Sequence, residues 1–301
     1  MSSNASTKVI IAALIGNTAI SITKFFAAFT TGSSAMLSEG IHSLVDTGNQ
    51  ILLLYGLKQA KKPADEEFPF GHGKEIYFWS FVVAILIFAV GSGVSIYEGI
   101  LHVIHPAEIK NPMVNYIVLS LALIFEGGAW FFAFKEFGKV KGKRGYIEAV
   151  QRGKDPSMFV VLFEDSAAML GLLIALLGIW LTQVTGIAVF DGIASILIGL
   201  ILGGTAIWLA IETKGLLIGE GANKEVIDSI RRVAESFEEV EKVNELLTMH
   251  MGPEFLLVNI SIRFKRGQLT RELEKIIEEL DATIKAEHEM VKRIFVEAEP
   301  A

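Results

Sequence analysis

Residues 35–57 form an apolar stretch that nevertheless carries three ionisable side chains. Glu39, His42 and Asp46 are spaced i, i+3 and i+7, so a helix would place them on one face, and Asn49 continues the same stripe. An imidazole nitrogen and a carboxylate oxygen four residues apart can bind one divalent cation together. We therefore interpret His42 and Asp46 as half of a metal site, with Glu39 and Asn49 as additional candidate ligands.

A second apolar stretch, residues 157–183, contains the adjacent acids Glu164 and Asp165. Neighbouring helical residues point about 100° apart, so at most one of these acids aims straight at the His42–Asp46 pair while the other flanks it. A tetrahedral site needs four donors, and the two stretches can supply them as His42, Asp46, Asp165 and Glu164. The alternative, that each residue only hydrogen-bonds a neighbouring helix, would bury several charges without a cation to neutralise them.

The remaining ionisable or amide residues in apolar stretches each lie alone or near the end of a stretch. Charged side chains at membrane depth are costly and usually face the interior of a helical bundle. We expect Glu98 and His102 to lie at the membrane interface. For the others we expect structural, packing or ion-pair roles; these are Asn17, Lys24, Glu126 and Asp191.

The composition excludes several classes of protein. Apolar residues make up 51% of the 301 residues, charged residues 20%, and the mean hydropathy is +0.48, which is too apolar for an ordinary soluble enzyme. The absence of cysteine excludes disulfides, thiolate nucleophiles, iron–sulfur clusters and cysteine-based zinc sites. The net charge of −7, without a basic cluster interleaved with aromatic residues, excludes nucleic acid as a partner.

Six stretches are long and apolar enough to be membrane-spanning helices, which need about 20 residues each. Four lysines lie between residues 58 and 74, seven Lys and Arg residues lie between 135 and 154, and the opposite connections carry only Lys110. The positive-inside rule therefore predicts that both termini are cytoplasmic. The predicted spans are about 8–31, 35–57, 76–100, 113–134, 157–183 and 188–211.

Residues 214–301 have the composition of a soluble domain and follow a predicted transmembrane domain of residues 1–213. Amphipathic periodicity predicts helices over 223–237 and 269–288, and apolar runs predict strands over 243–249, 255–264 and 291–297, with a turn at 250–253. The fold class is thus a six-helix transmembrane bundle followed by a cytosolic α+β ferredoxin-like domain. A non-specific dimerisation domain built from the same elements is the alternative for the second part.

The chain resembles the cation diffusion facilitators, the family that includes the zinc transporters of solute carrier family 30. The resemblance extends along essentially the whole chain, and the amino-acid sequences of the second and fifth spans are most similar to the member-nine branch. Four motifs carry it: SEGIHSLVD in the second predicted span, PADEEFPFGHGKE at 63–75, FEDS in the fifth predicted span and LLIGEGA at 216–222.

This resemblance implies a homodimer that exports a divalent metal from the cytosol in exchange for protons. It implies metal ligands four residues apart in each of two spans, which are His42 and Asp46 in one and Val161 and Asp165 in the other. Valine cannot bind a metal, so the chain departs from the family pattern, and Glu164 is the obvious substitute. His42, Asp46 and Asp165 are the implied sites of proton coupling.

The resemblance also implies a second metal site in the loop after the second span. Asp65 and His72 match its pattern, but Phe68 occupies the middle position, and a tight glycine turn is an equally good interpretation of this segment. Metal sites in the cytosolic domain of some relatives fall on Asn244, Asn259, Glu297 and Glu299, so we expect zinc binding there to be lost or weakened. We expect His250 and His288 to be surface residues.

The imidazole favours Zn²⁺ as the transported ion over Mg²⁺ and Ca²⁺, which prefer oxygen ligands, while Mn²⁺, Fe²⁺, Co²⁺ or Cd²⁺ could also be accepted. No organic cofactor and no enzymatic activity are expected. Two other functions are possible alternatives. One is an intramembrane metal-dependent hydrolase, although the sequence contains neither HExxH nor GxSxG, which would support it. The other is a membrane scaffold acting through its cytosolic domain. The N-terminus lacks a signal-peptide pattern, so we expect a prokaryotic inner membrane.

Overall fold

The computed structural model describes residues 3–141 and 145–299, so part of the predicted basic connection, 142–144, lies outside the described residues. Long helices dominate the first two thirds of the chain, since apolar runs without helix-breaking residues favour continuous helix. The helices are α1 Ser3–Thr31, α2 Ser34–Ala60, α3 Glu75–Leu86, α4 Gly93–Ile104, α5 Pro112–Lys141, α6 Tyr146–Gln151, α7 Pro156–Thr185 and α8 Val189–Ile218. A π-helical segment, Ile87–Ser92, joins α3 and α4 into one continuous rod.

Four helices in the described ranges have the length and hydropathy needed to cross a membrane: Glu75–Ile104, Pro112–Lys135, Phe159–Thr185 and Val189–Ile218. They correspond to the last four predicted spans, which confirms a multi-helix membrane protein. Helices α1 and α2 coincide with the first two predicted spans, and their assignment as membrane spans remains a prediction. Helix α2 is less apolar because it contains the ionisable stripe of residues 39–49.

The chain divides into two compact units. The first comprises Met1–Tyr55, Trp79–Val150 and Pro156–Glu212, and its buried core draws on α1, α2, α3, α5, α6, α7 and α8. Small residues allow close helix contact there: a Cβ added to Gly99 of α4 would lie 2.7 Å from the carbonyl oxygen of Gly192 in α8. The second unit comprises Gly56–Phe78, Gln151–Asp155 and Thr213–Ala301.

The second unit contains a mixed three-stranded sheet with two helices. Its elements are α9 Lys224–Glu235, β1 Val240–Gly252, β2 Phe255–Phe264, α10 Thr270–Glu287 and β3 Val291–Ala298. The strand order is β1-β2-β3, with β1 and β2 antiparallel and β2 and β3 parallel. Both helices and all three strands bury apolar side chains in one core, which confirms the α+β class predicted for this part of the chain.

The turn of the β1–β2 hairpin is shorter than the sequence predicts. The sequence predicts a turn at 250–253, but β1 continues to Gly252, and His250 pairs with Leu256 across the hairpin. A register shift after His250 lets Gly252 pair with Phe255, so only Pro253 and Glu254 remain in the turn. The cause is the β-bulge, which absorbs one residue and which alternation of apolar residues does not reveal.

Candidate metal-binding site

Helix α2 places the predicted ligands on one face, as the spacing requires. The Nδ1 atom of His42 lies 3.1 Å from Oδ1 of Asp46, one helical turn away. His42 is 1% exposed and the side chain of Asp46 is 18% exposed, so the pair is almost removed from solvent. An imidazole and a carboxylate held together in this way offer one nitrogen and one oxygen donor to a cation.

These donor atoms lack the hydrogen bonds that buried polar atoms normally have. Within the described residues, Nδ1 and Nε2 of His42, Oδ1 of Asp46, Oδ1 of Asn49 and Oε1 of Glu39 are buried without a hydrogen-bond partner. The 3.1 Å contact of His42 with Asp46 is not aligned as a hydrogen bond. A buried polar atom without a partner costs free energy, so this stripe of atoms is a candidate site for a ligand.

Helix α7 contributes Glu164 to this face. Nδ2 of Asn49 donates a hydrogen bond of 2.6 Å to Oε1 of Glu164, and the carboxyl group of Asp46 also lies within hydrogen-bonding reach of Glu164. The neighbouring Asp165 is half-buried, and no hydrogen bond of its side chain is seen within 3–141 and 145–299. Of the two adjacent acids, therefore, it is Glu164 that meets α2 directly.

The predicted metal-ligand residues lie near one another but do not form a complete metal-binding group. In the part of the chain that the structure describes, no three His, Asp or Glu side chains lie close enough to hold a metal ion together. The structure brings together His42 with Asp46 and Glu164 with Asn49. Asp165 lies within electrostatic range of His42 and Asp46, but no hydrogen bond to either is seen in the described residues.

A second buried cluster, which the sequence interpretation did not identify, lies beside this face. Nζ of Lys24 in α1 donates to Oε2 of Glu39 at 3.1 Å, to Oε1 of Glu126 in α5 at 2.8 Å, and to Oγ of Ser43 at 2.7 Å. Lys24 and Glu39 are fully buried. The ion-pair role expected for Lys24 and Glu126 is thus confirmed, and Glu39 is engaged by a lysine of the protein itself.

The remaining oxygen of Glu39 points at α7. A Cβ added to Gly171 would lie only 2.4 Å from Oε1 of Glu39. A glycine is therefore needed at this position for α7 to approach α2 as closely as it does. The sequence does not predict this contact, because nothing in the residues around Gly171 indicates that it faces a carboxylate.

Asp191, in the first turn of α8, caps the start of α2. Its carboxylate accepts hydrogen bonds from Oγ of Ser33 at 2.6 Å and from the backbone N–H of Ser34 at 2.5 Å. Nε2 of His102 lies 3.7 Å from the same carboxylate. Backbone N–H groups at a helix N-terminus lack internal partners and favour negative charge, so Asp191 fixes the end of the helix that carries the candidate ligands.

In the second unit, the predicted loop residues Asp65 and His72 contact each other. Nε2 of His72 lies 2.9 Å from Oδ2 of Asp65, and the backbone N–H of Phe68 donates to Oδ1 of Asp65 at 2.7 Å. The hydrogen bond with His72, followed by that from Phe68, keeps the pKa of Asp65 below its usual value. The rings of Phe68 and His72 pack 4.5 Å apart, so Phe68 fills the middle position of the loop.

One predicted position in the second unit, His250, differs in its surroundings from expectation. His250 is 1% exposed, so its expected surface position is wrong; it lies on β1, where its backbone N–H donates to the carbonyl of Glu220. Burial, followed by the nearby Lys154, lowers the pKa of His250 to about 4. Asn244 donates to Glu299 at 2.7 Å, which joins two of the four positions at which we expect zinc binding to be weakened.

The model of the cation efflux transmembrane domain matches residues 10–218, which include the whole of the α2–α7 site. The chain belongs to the cation efflux family. Members of this family are transporters rather than enzymes, so the hydrolase alternative is not supported. The resemblance drawn from the sequence motifs is thereby confirmed.

Named relatives of this cation efflux protein span several kingdoms. The Proton-coupled zinc antiporter SLC30A9, mitochondrial, of Xenopus laevis is 32% identical over 88% of this chain and 48% of its own length. Metal tolerance protein C4 of Arabidopsis thaliana is 29% identical over 82% of this chain and 54% of its own. The Manganese efflux system protein MneP of Bacillus subtilis is 23% identical over 98% of this chain and 96% of its own. The chain thus spans about half the length of the first two relatives.

Proposed function

We propose that this protein is a divalent metal efflux transporter that moves Zn²⁺ out of the cytosol in exchange for protons. The observation that carries the proposal is the buried face of α2: both ring nitrogens of His42 and Oδ1 of Asp46 have no hydrogen-bond partner among the described residues, and the Asp46 carboxyl group meets Glu164 of α7. Membership of the cation efflux family supports the assignment, because transport is the activity that such a site serves in a bundle of membrane helices.

The exchange follows from the chemistry of the donors. His42, Asp46, Asp165 and Glu164 bind a metal only through deprotonated atoms, so the arriving cation expels protons from the site. When the cation leaves, the buried groups take up protons again, because several uncompensated charges in a low-dielectric bundle are unfavourable. Competition between one metal ion and protons for the same atoms couples the two movements without a separate proton path.

Asp165 joins the site, in this proposal, during the transport cycle. Among the described residues its side chain forms no hydrogen bond to His42 or Asp46, whereas Glu164 already contacts α2 through Asn49. Alternating access in transporters occurs by rocking of helices about a site near the membrane midplane. A rotation or shift of α7 relative to α2 would bring Asp165 into the site, either beside Glu164 or in its place. Glu164 would supply the ligand atom that Val161 lacks.

Zn²⁺ is the metal ion that we expect the protein to transport. A site with one imidazole and several carboxylates suits Zn²⁺, and the Xenopus relative is named for zinc, but the Bacillus relative is named for manganese. Affinity follows the Irving–Williams order whatever the biological metal is, so Mn²⁺, Fe²⁺ and Co²⁺ are the alternatives and Cd²⁺ an adventitious substrate. Asp65 and His72, 2.9 Å apart, form a possible accessory loop site.

The assembly and location are also part of the proposal. The family resemblance supports a homodimer in which residues 214–301 form the dimerisation or regulatory domain. The basic connections support cytoplasmic termini, and the Bacillus relative, matched over 98% of the chain, supports a prokaryotic inner membrane.

The test is metal entry into proteoliposomes that contain the purified protein and have an acidic interior. We expect Zn²⁺ entry that stops when a protonophore collapses the pH gradient. The same vesicles are then challenged with Mn²⁺, Fe²⁺ and Co²⁺, which identifies a different cargo if Zn²⁺ does not enter. Failure to move any of the four ions would contradict the transporter proposal and favour the scaffold alternative.

A further inference from the structure

A cavity of about 830 Å³ lies within the second unit, away from the α2–α7 site. It is bounded by the end of α2 and the loop after it, the first turn of α3, the β1–β2 turn and β3. Its volume falls in the range of pockets that bind small molecules, about 300–1,000 Å³. No residue of the α2–α7 site lines this cavity, although His72 of the possible accessory loop site does.

The walls of the cavity are fixed by backbone contacts. A Cβ added to Gly73 would lie 2.3 Å from the carbonyl oxygen of Met251, and a Cβ added to Gly252 would lie 3.0 Å from Cα of Gly73. The loop after α2 and the β1–β2 turn therefore pack backbone against backbone, which only glycine allows. Two segments that are far apart in sequence thus form one built pocket.

The cavity combines aromatic walls with an excess of positive charge. Two basic pairs from distant parts of the chain line it, Lys61 with Lys62 and Lys292 with Arg293, against two acidic residues, Asp155 and Glu254. None of the four basic side chains forms an ion pair within residues 3–141 and 145–299. Convergent unpaired cations around one pocket predict an anionic ligand.

The aromatic residues add an apolar component and orient the arginine. Phe70 and Phe295 meet edge to face at 6.5 Å, and the guanidinium of Arg293 lies 5.4 Å from the ring centre of Phe295. A guanidinium held against a ring keeps its N–H edges available, and these edges match a phosphate group in bidentate geometry. The chemistry therefore suits a phosphate that carries an apolar portion.

The position of the cavity indicates the source of such a ligand. Ile76, in the first turn of the candidate membrane helix Glu75–Ile104, lines the cavity, and so does Leu57 near the end of α2. The ends of membrane helices lie at the depth of the lipid headgroups, and basic pockets at that depth bind anionic headgroups.

We propose that this cavity binds the phosphate headgroup of an anionic phospholipid through Lys61, Lys62, Lys292 and Arg293. The bound lipid would connect the loop after α2 with β3 of the C-terminal domain. The four basic residues belong neither to the α2–α7 site nor to the Asp65–His72 pair, so the test does not depend on whether the protein transports zinc.

Native mass spectrometry of the purified protein measures the inference directly. The probes are phosphatidylglycerol and cardiolipin, with phosphatidylcholine as the zwitterionic comparison and inorganic phosphate as the soluble competitor. We expect an anionic lipid to be retained on each protomer and phosphatidylcholine to be lost. Replacing Lys292→Gln with Arg293→Gln, or Lys61→Gln with Lys62→Gln, should weaken retention about fivefold for each charge removed.

The control is the double variant Lys242→Gln with Lys275→Gln, which removes two exposed charges of the same domain outside the cavity. It should leave retention unchanged, and unchanged thermal unfolding of all three double variants shows that they fold. Equal retention of phosphatidylcholine and phosphatidylglycerol, or equal losses in the cavity and control variants, would overturn the proposal. Complete displacement of the lipid by inorganic phosphate would overturn the lipid assignment and show a soluble phosphate site.

Discussion

Replacing Lys24 with methionine should destabilise the first unit strongly. The Lys24 ammonium is fully buried and contacts Glu39 at 3.1 Å and Glu126 at 2.8 Å, so the substitution leaves two carboxylates facing each other without their cation. Removing one partner of a buried ion pair costs about 3–5 kcal/mol. In a unit of this size that cost lowers the midpoint of thermal unfolding by roughly 6–20 °C.

The assay is thermal unfolding in detergent, followed by tryptophan fluorescence. The matched control is Lys58→Met, which makes the same chemical change at an exposed position of α2 and should shift the midpoint by less than about 2 °C. Adding Glu39→Gln to Lys24→Met should restore part of the loss, because one of the two unpaired carboxylates is then neutral. If Lys24→Met unfolds at the wild-type temperature, the buried ion-pair cluster does not stabilise the helices as described.

Three further variants test other contacts. Asn49→Ala removes the hydrogen bond to Glu164 and should weaken Zn²⁺ binding about 10–100-fold in a dye competition assay, since residues that orient ligands have effects of this size; unchanged affinity would remove Glu164 from the site. Asp191→Ala removes the cap of α2, including the bond to the backbone of Ser34, and should cost about 0.5–2 kcal/mol in denaturant unfolding. Because the pKa of His250 is about 4 in the folded domain and about 6.5 when unfolded, its stabilising contribution is complete above pH 6.5 and is lost as the pH falls toward 4, by up to about 3 kcal/mol. Hydrogen-exchange protection factors of β1, which are corrected for the intrinsic pH dependence of amide exchange, should therefore fall between about pH 7 and pH 5. His250→Gln should reduce this fall, and an equal fall in both proteins would contradict the assignment.

The part of the site that lies on one helix is predictable from sequence, because side chains at i, i+3 and i+7 share a face whatever surrounds them. This is why Glu39, His42 and Asp46, with Asn49 continuing the stripe, are identifiable together. The choice between Glu164 and Asp165 could not be made, since it depends on the rotation of α7 about its axis relative to α2. That rotation is set by packing, including the contact of Glu39 with Gly171.

Contacts among three helices were harder still to predict. Lys24, Glu39 and Glu126 come from three different helices, so no spacing rule links them. The signal was the presence of single charges in separate apolar stretches, which must find partners inside the bundle, but that signal does not say which partner. The buried position of His250 was missed for a related reason: it depends on a β-bulge and on the segment around Glu220 that covers β1.

The central claim, exchange of a divalent metal for protons at the α2–α7 site, is tested most directly by recording both movements at once. Vesicles with an acidic interior would carry a zinc indicator and a pH indicator, and hold either wild-type protein, Asp46→Asn, or Glu241→Gln as an exposed control. We predict that Zn²⁺ entry is accompanied by a rise of interior pH for wild type and Glu241→Gln, and that Asp46→Asn abolishes both signals. Zinc entry by Asp46→Asn at the wild-type rate, or zinc entry without any proton movement, would contradict the claim.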